Sequence, residues 1–309
     1  MPSIEKDLCI APIGGCPLSV RASLVGSEEA DTIVAALGGI SATHRVTDTS
    51  NARGWWRMLA GPGRALDTRR IRLLGMEYAV IQESTLTTAE QARVLAGVLD
   101  ALGIDRLSVL VGASYGGMVG LAFARDYSKR LGRLVVVSAA HRSDPMATAW
   151  RMIQRRIVKL GIEHGVAYEA AVLARALAMT TYRSREEFSQ RFARLPIHGP
   201  SGFEFPVERY LLSRGEGFAR EMSLSRFLRL SESIDLHDIR PEDIDVPAHF
   251  VAVRTDQLVT PDLMRELAAR YRGPSKFSEI DSIYGHDAFL KEVALLTPIL
   301  SSECRSQPS

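Results

Sequence analysis

The sequence predicts an α/β protein, with a mostly parallel, doubly wound sheet and a block of helices inserted into it. Three observations carry that expectation. The runs at 33–37, 107–111, 134–137 and 248–253 are continuously apolar, as strands buried on both faces are. Between them the apolar period becomes helical, most clearly over 88–102, where Val94, Leu95, Val98, Leu99 and Leu102 share a face. From Asp144 to about Leu236 there is almost no strand signal, only helical periodicity. With 309 residues there is room for one large domain carrying such an insertion. We expect residues 1–142 and 240–309 to form the core and 143–239 a helical lid.

In chain order, residues 18–25 alternate and read as a strand, and 33–37 is a second, more apolar one that runs into Gly38-Gly39-Ile40. Trp55-Trp56 and Gly61-Pro62-Gly63 lie in a loop-rich region. The tryptophans are expected to pack, and the glycines to punctuate turns; no Gly-Lys-Ser/Thr ending makes them a phosphate loop. A strand follows at 71–74. The helix over 88–102 is capped by Thr87 or Thr88 and ended by Gly103. The strand 107–111, a helix over 118–125 and the strand 134–137 come next. Helical periods then occupy 149–160, 168–179, 185–192 and 207–212, with the Gly/Pro loop 196–202 between them. After the strand 248–253, a last helix is expected downstream of His286, and the residues from Ser301 read as frayed.

Composition narrows the function classes. Hydrophobic content of 46% and charged content of 24% are those of an ordinary globular protein. A net charge of +2, carried mostly by arginine, makes no global case for nucleic acid. The apolar runs are too short to span a membrane, and Met1 to Asp7 carries charge where a signal peptide would be apolar; a cytoplasmic protein without a membrane partner is expected. Cys9, Cys16 and Cys304 are odd in number and form no C-x-x-C pair, so neither a disulfide framework nor a metal site is expected. Arg151, Arg155 and Arg156 sit on the first inserted helix, either as a solvated face or as a cluster able to hold an anionic group over a cleft.

The chemistry centres on Gly112-Ala113-Ser114-Tyr115-Gly116, between a buried strand and a helix. A strand, a G-x-S-x-G and a helix, in that order, describe the nucleophile elbow of the α/β-hydrolase fold. The turn is too tight for side chains two residues either side of the serine, which projects above the sheet. Asp256 follows the late strand 248–253, and His286 heads the last helix behind a glycine. Ser…Asp…His is the order of the α/β-hydrolase triad. A serine hydroxyl needs such a base, and the acid fixes the base's tautomer. The double glycine after 33–37 is where this fold supplies half of an oxyanion hole, so the candidate donors are the backbone N–H groups of Leu37 and Tyr115. Of the other histidines, His237 and His249 are expected to be structural, while His141 follows a strand end and reads as a loop residue or as pocket lining.

Five segments together carry a resemblance: Ala36-Leu37-Gly38-Gly39, Gly112-Ala113-Ser114-Tyr115-Gly116-Gly117-Met118, Leu173-Ala174-Arg175 with Thr181-Tyr182-Arg183-Ser184, Leu236-His237-Asp238, and Gly285-His286-Asp287-Ala288-Phe289-Leu290. The chain resembles the MetX-type homoserine O-acyltransferases. The resemblance implies transfer of an acyl group from acyl-CoA, bound only as co-substrate, to the hydroxyl of L-homoserine through a Ser114 acyl-enzyme in methionine biosynthesis. It further implies that Arg175 and Tyr182 hold the amino-acid carboxylate, that Asp287 holds the ammonium, and that a homodimer could form through the lid. The family more often has Gly-Gly-Ser and Ala-Leu-Thr-Gly at the two oxyanion segments. The variants found here are similar to the succinyl-using branch, so succinyl is favoured over acetyl. L-Serine as acceptor, and an esterase or thioesterase using the same triad, are the alternatives.

Overall fold

The computed structural model describes residues 3–13, 15–50, 52–200 and 202–304. In chain order the elements begin with β1 (Ser3–Ile13), β2 (Cys16–Gly26), β3 (Ile33–Leu37), β4 (Arg72–Met76), α1 (Thr88–Ala101), β5 (Val109–Ala113), α2 (Tyr115–Asp126) and β6 (Leu134–Val137). Next come α3 (Pro145–Glu163), α4 (Ala167–Tyr182), α5 (Arg185–Arg191), a small hairpin of β7 (Ile197–Gly199) and β8 (Gly202–Glu204), α6 (Pro206–Glu221) and α7 (Leu224–Asp235). They are followed by β9 (Ala248–Val253), α8 (Pro261–Arg270), β10 (Ser275–Ile280), α9 (Ala288–Lys291) and α10 (Val293–Glu303).

The main sheet runs β1-β2-β4-β3-β5-β6-β9-β10. β1 pairs antiparallel with β2 and β2 with β4, and every later pairing is parallel. The buried central strands divide their side chains between two cores with the period of two that a pleated strand imposes. Leu110, Leu134, Val136 and Phe250 pack on the face covered by α1, α2 and α8. Val111, Val135, Val137 and Val251 face Trp56, Leu296 and Leu300 on the other side. Both faces being apolar is why these strands read as continuous hydrophobic runs. Each such side chain, fully buried, contributes about 1.5–3 kcal/mol. Thr87 caps α1: its hydroxyl accepts from Glu90 N–H while the Glu90 carboxylate accepts from Thr87 N–H, forming a capping box.

Between β6 and β9 the chain adds α3–α7 and no strand of the main sheet. The expected loop at 196–202 contains the hairpin β7–β8, and Ser201 within it lies outside the described residues. β1 and β10, absent from the sequence expectation, are edge strands. Only Leu8, Ile10 and Ile13 of β1 and Ile280 of β10 are buried, so water on the other side removes the apolar run. The expected fraying from Ser301 is not what is found at Ser301–Glu303, which continue α10; residues 305–309 lie outside the description, as do Met1, Pro2 and the Cys16 side chain. Cys9 is exposed, and Cys304 is buried with its thiol pushed up to about 12 by that burial. Among the described residues no helix is long and apolar enough to cross a membrane.

Candidate active site

β5 delivers the serine. Ser114 has φ +54°, in the region that L residues avoid, and α2 begins at the next residue. A Cβ on Gly112 would lie 2.3 Å from the Gly116 carbonyl oxygen, and one on Gly116 would lie 2.1 Å from that of Leu37. The glycines are therefore required by backbone contact, and the strained serine is held out over the sheet. Ser114 Oγ stands 2.7 Å from His286 Nε2, and His286 Nδ1–H donates to Asp256 Oδ2 at 2.7 Å. Asp256 Oδ1 accepts from the Leu258 and Val259 amides at 2.9 and 3.0 Å, which fixes the carboxylate behind the ring. Burial works against a charged His286, but the Asp256 carboxylate outweighs it and holds the ring above its ordinary 6.5.

Ser114 and His286 open onto a cavity of about 220 Å³, whose wall includes Arg175, Tyr182 and Asp287. The Arg175 guanidinium lies 5.0 Å from the Tyr182 ring centre and 5.1 Å from that of Phe218. Among the described residues no carboxylate forms an ion pair with it. Tyr182 packs with its ring centre 6.0 Å from that of His286. Asp287 is already engaged: its Oδ2 forms an ion pair with the buried Arg183 at 3.0 Å, and Arg183 also binds Glu187. These residues meet because the end of α4 is tied to the loops that carry Asp256 and His286. Ser184 Oγ–H donates to the Ile283 carbonyl, Gln257 Nε2–H to that of Arg183 at 3.0 Å, and Gly285 (φ +57°) presses against the Tyr182 carbonyl.

Leu37 behaves differently from its neighbours. It ends β3, is paired with Gly112 in the ladder, and is 1% exposed, while Gly39 and Ile40 form cavity wall. The Gly38 carbonyl accepts from Gly116 N–H at 2.9 Å and from the Tyr78 hydroxyl at 2.5 Å. Because a trans peptide sets N–H opposite C=O, the Gly39 N–H is turned away from those two donors. Tyr115 is clamped from behind: its hydroxyl donates to Ser233 Oγ at 2.7 Å, and Ser233 donates to the Leu86 carbonyl.

A family model described as alpha/beta hydrolase fold matches residues 59–293. A homoserine O-succinyltransferase of Xanthomonas campestris pv. campestris is 41% identical over 99% of this chain and 85% of its own length. A homoserine O-acetyltransferase of Moorella thermoacetica is 30% identical over 80% of this chain and 78% of its own length. The crystal structure of homoserine O-acetyltransferase from Bacillus anthracis superposes with a TM-score of 0.86 at 16% identity, covering 100% of this chain and 98% of that one, which shows the shared fold. The chain belongs to the homoserine O-acyltransferase family, on the α/β-hydrolase fold.

Around this cavity the structure adds Trp55 and Gln154, which the sequence does not mark, and places Arg151 on the wall. Trp55 stacks on Trp56 at 4.9 Å and forms cavity wall, whereas Trp56 is buried and donates to the Phe289 carbonyl at 2.7 Å. Gln154 and Arg151, from α3, also face the cavity. Arg151 and Arg155 are not a solvated face; both turn inward onto Asp235 at 2.6 Å, and only Arg156 of the three is exposed. His141 is buried against Glu266 and is absent from the cavity wall. His237 lies between the Thr88 hydroxyl, 2.7 Å away, and the Ala140 carbonyl; His249 bridges Glu303 and Ser278. No cluster of three or more His, Cys, Asp or Glu able to hold a metal occurs among the described residues.

Proposed function

We propose that this chain is a homoserine O-succinyltransferase: it moves a succinyl group, in preference to acetyl, from acyl-CoA to the hydroxyl of L-homoserine in methionine biosynthesis. The observation that carries this reading is an unpaired Arg175 guanidinium, stacked on Tyr182, in the same cavity as Ser114 and His286. A hydrolase has no need of a fixed cation and an acid beside its nucleophile; an amino-acid acceptor does. The higher identity to the O-succinyltransferase than to the O-acetyltransferase supports the succinyl donor.

In this reading Ser114, His286 and Asp256 form the triad. Ser114 Oγ attacks the thioester carbonyl carbon while His286 Nε2 takes its proton. Collapse of the tetrahedral adduct breaks the C–S bond, and His286 returns the proton to the departing CoA sulfur. The homoserine hydroxyl then gives its proton to His286 and attacks the acyl carbon, and Ser114 leaves reprotonated. The oxyanion is held by the Tyr115 N–H and by a donor from the Leu37–Gly38–Gly39 turn, of which Gly39 is the residue on the cavity wall. Arg175 and Tyr182 hold the acceptor's carboxylate. The Asp287 carboxylate, oriented by Arg183, takes its ammonium. Holding the acceptor in line supplies an effective molarity on the order of 10⁵ M or more, enough for it to outcompete water. Residues 143–239 act as the lid over this chemistry, and exposed apolar side chains on it, Leu160, Ile162 and Leu173 among them, suit a homodimer contact.

Release of free thiol from succinyl-CoA or acetyl-CoA, with L-homoserine, L-serine or no acceptor, tests the reading. Release that requires homoserine and is faster with succinyl-CoA supports it; release indifferent to any amino acid replaces it with a hydrolase. Arg175→Ala should slow the homoserine half-reaction by about 100-fold or more while leaving the first burst of thiol nearly intact. Equal loss in both half-reactions removes the carboxylate role from Arg175.

A further inference from the structure

The cavity has more positive charge than an amino-acid acceptor can use. Its wall includes two arginines on two helices, Arg175 from α4 and Arg151 from α3, and one acid, Asp287, which is already paired with Arg183. Asp235 sits behind Arg151 but is shared: its Oδ1 accepts from Arg151 Nε at 2.7 Å and its Oδ2 from Arg155 Nη1 at 2.6 Å. Two guanidinium groups on a single carboxylate leave one net positive charge at the α3 side of the cavity. Beside Arg151, three residues along and so on the same helix face, is Gln154. It is 3% exposed and faces the cavity, and among the described residues its amide has no hydrogen-bond partner. Unlike the Trp55 Nε1–H, the Gln154 amide is not sealed off, so it is open to a ligand or water in the cavity. Resting on the donor reading above, we propose that Arg151 and Gln154 form the subsite for the far carboxylate of a dicarboxylic acyl donor. The acceptor's carboxylate goes to Arg175, and the succinyl chain extends from Ser114 toward α3.

The arrangement suits that ligand. Asp235, Ser143 and Thr148 all bond Arg151 and fix its guanidinium in place. With Nε and Nη2 so engaged, the Nη1 N–H groups are the donors left for a ligand carboxylate. An acetyl group is too short to reach either the charge or the amide, which makes the pair a device for choosing between donors.

The test compares succinyl-CoA with butyryl-CoA, which has the same chain length and a methyl group in place of the carboxylate, for transfer to L-homoserine. In Arg151→Gln the ratio of kcat/KM for succinyl-CoA over butyryl-CoA should fall by about 10- to 100-fold, the range expected for a charge-assisted hydrogen bond. Gln154→Leu leaves the Asp235 network intact and should lower the same ratio by about 3- to 10-fold. If both variants lower the two donors equally, or change neither, the subsite is overturned and the pair only braces α3 against α7. A wild-type enzyme that favours succinyl-CoA while the variants keep its ratio refutes the subsite alone. One that transfers butyryl but not succinyl refutes the donor reading with it.

Discussion

The two ring nitrogens of His286 have opposite duties because Asp256 occupies one of them. With Nδ1–H donated to Asp256, Nε2 is left bare toward Ser114 and can accept its proton. The same carboxylate keeps the ring protonated to a higher pH than an ordinary histidine. The base form therefore appears only above that raised value, and kcat/KM should climb through a limb lying above pH 6.5. Asp256→Asn removes the charge and can present an amide N–H to Nδ1, which forces the proton onto Nε2. We expect kcat to fall by roughly 10⁴-fold and the residual acid limb to move to lower pH, as read from the pH profile of thiol release. An unmoved limb would show that another group titrates there. At this scale the sequence was informative where chemistry is local. Ser114, Asp256 and His286 each adjoin a strand end or a glycine turn, so neighbouring residues announce them. Gln154 and Trp55 carry no such mark. Their places on the cavity wall depend on how α3 and the loop at 52–60 are turned, which neighbouring letters do not encode.

At the scale of elements, the end of α4 is the joint on which the proposed acceptor site depends. Gly285 adopts φ +57°, and a Cβ there would lie 2.8 Å from the Tyr182 carbonyl oxygen. Gly285→Ala must strain the backbone, at about 1–3 kcal/mol, or push α4 away from the His286 loop. The expected outcome is a raised KM for homoserine with a lowered kcat, together with a fall in Tm measured by calorimetry. A variant with a lowered Tm and unchanged homoserine kinetics would separate the joint from the acceptor site. Legibility among elements followed burial. β3, β6 and β9 match the expected 33–37, 134–137 and 248–253, because strands covered on both faces are apolar throughout. β5 lies two residues later than the run at 107–111, since the glycine and alanine that finish it look like turn. α6 extends nine residues past the expected 207–212, to Glu221; its exposed face carries Arg214, Glu216 and Arg220, which dilute the apolar period.

At the scale of the whole molecule, the stability of the fold should tilt with pH, because a histidine is buried neutral at the seam between sheet and insertion. His237 is fully enclosed, accepts from the Thr88 hydroxyl at Nδ1 and donates from Nε2 to the Ala140 carbonyl. Burial pushes its pKa down to about 3, against 6.5 for an ordinary imidazole. Between those values the unfolded chain binds a proton that the folded chain refuses, so stability is lost as pH falls below 6.5. One proton of difference corresponds to about 1.4 kcal/mol per pH unit. His286 acts in the opposite sense: its raised pKa contributes stability at acid pH that is lost as pH rises above 6.5. His141 is also lowered, by burial against the pull of Glu266, and adds to the acid-side slope. Urea titrations from pH 6.5 to 4.5 should therefore show a steep loss of stability in the wild type. His237→Gln can still accept from Thr88 and donate to Ala140 without ever charging. It should flatten the curve by about 1.4 kcal/mol per pH unit at its acid end. The same slope in the variant would move the effect to His141 and to the carboxylates held below their ordinary range, Glu77 and Glu303 among them, and with it the weak point of the fold away from the α7 seam.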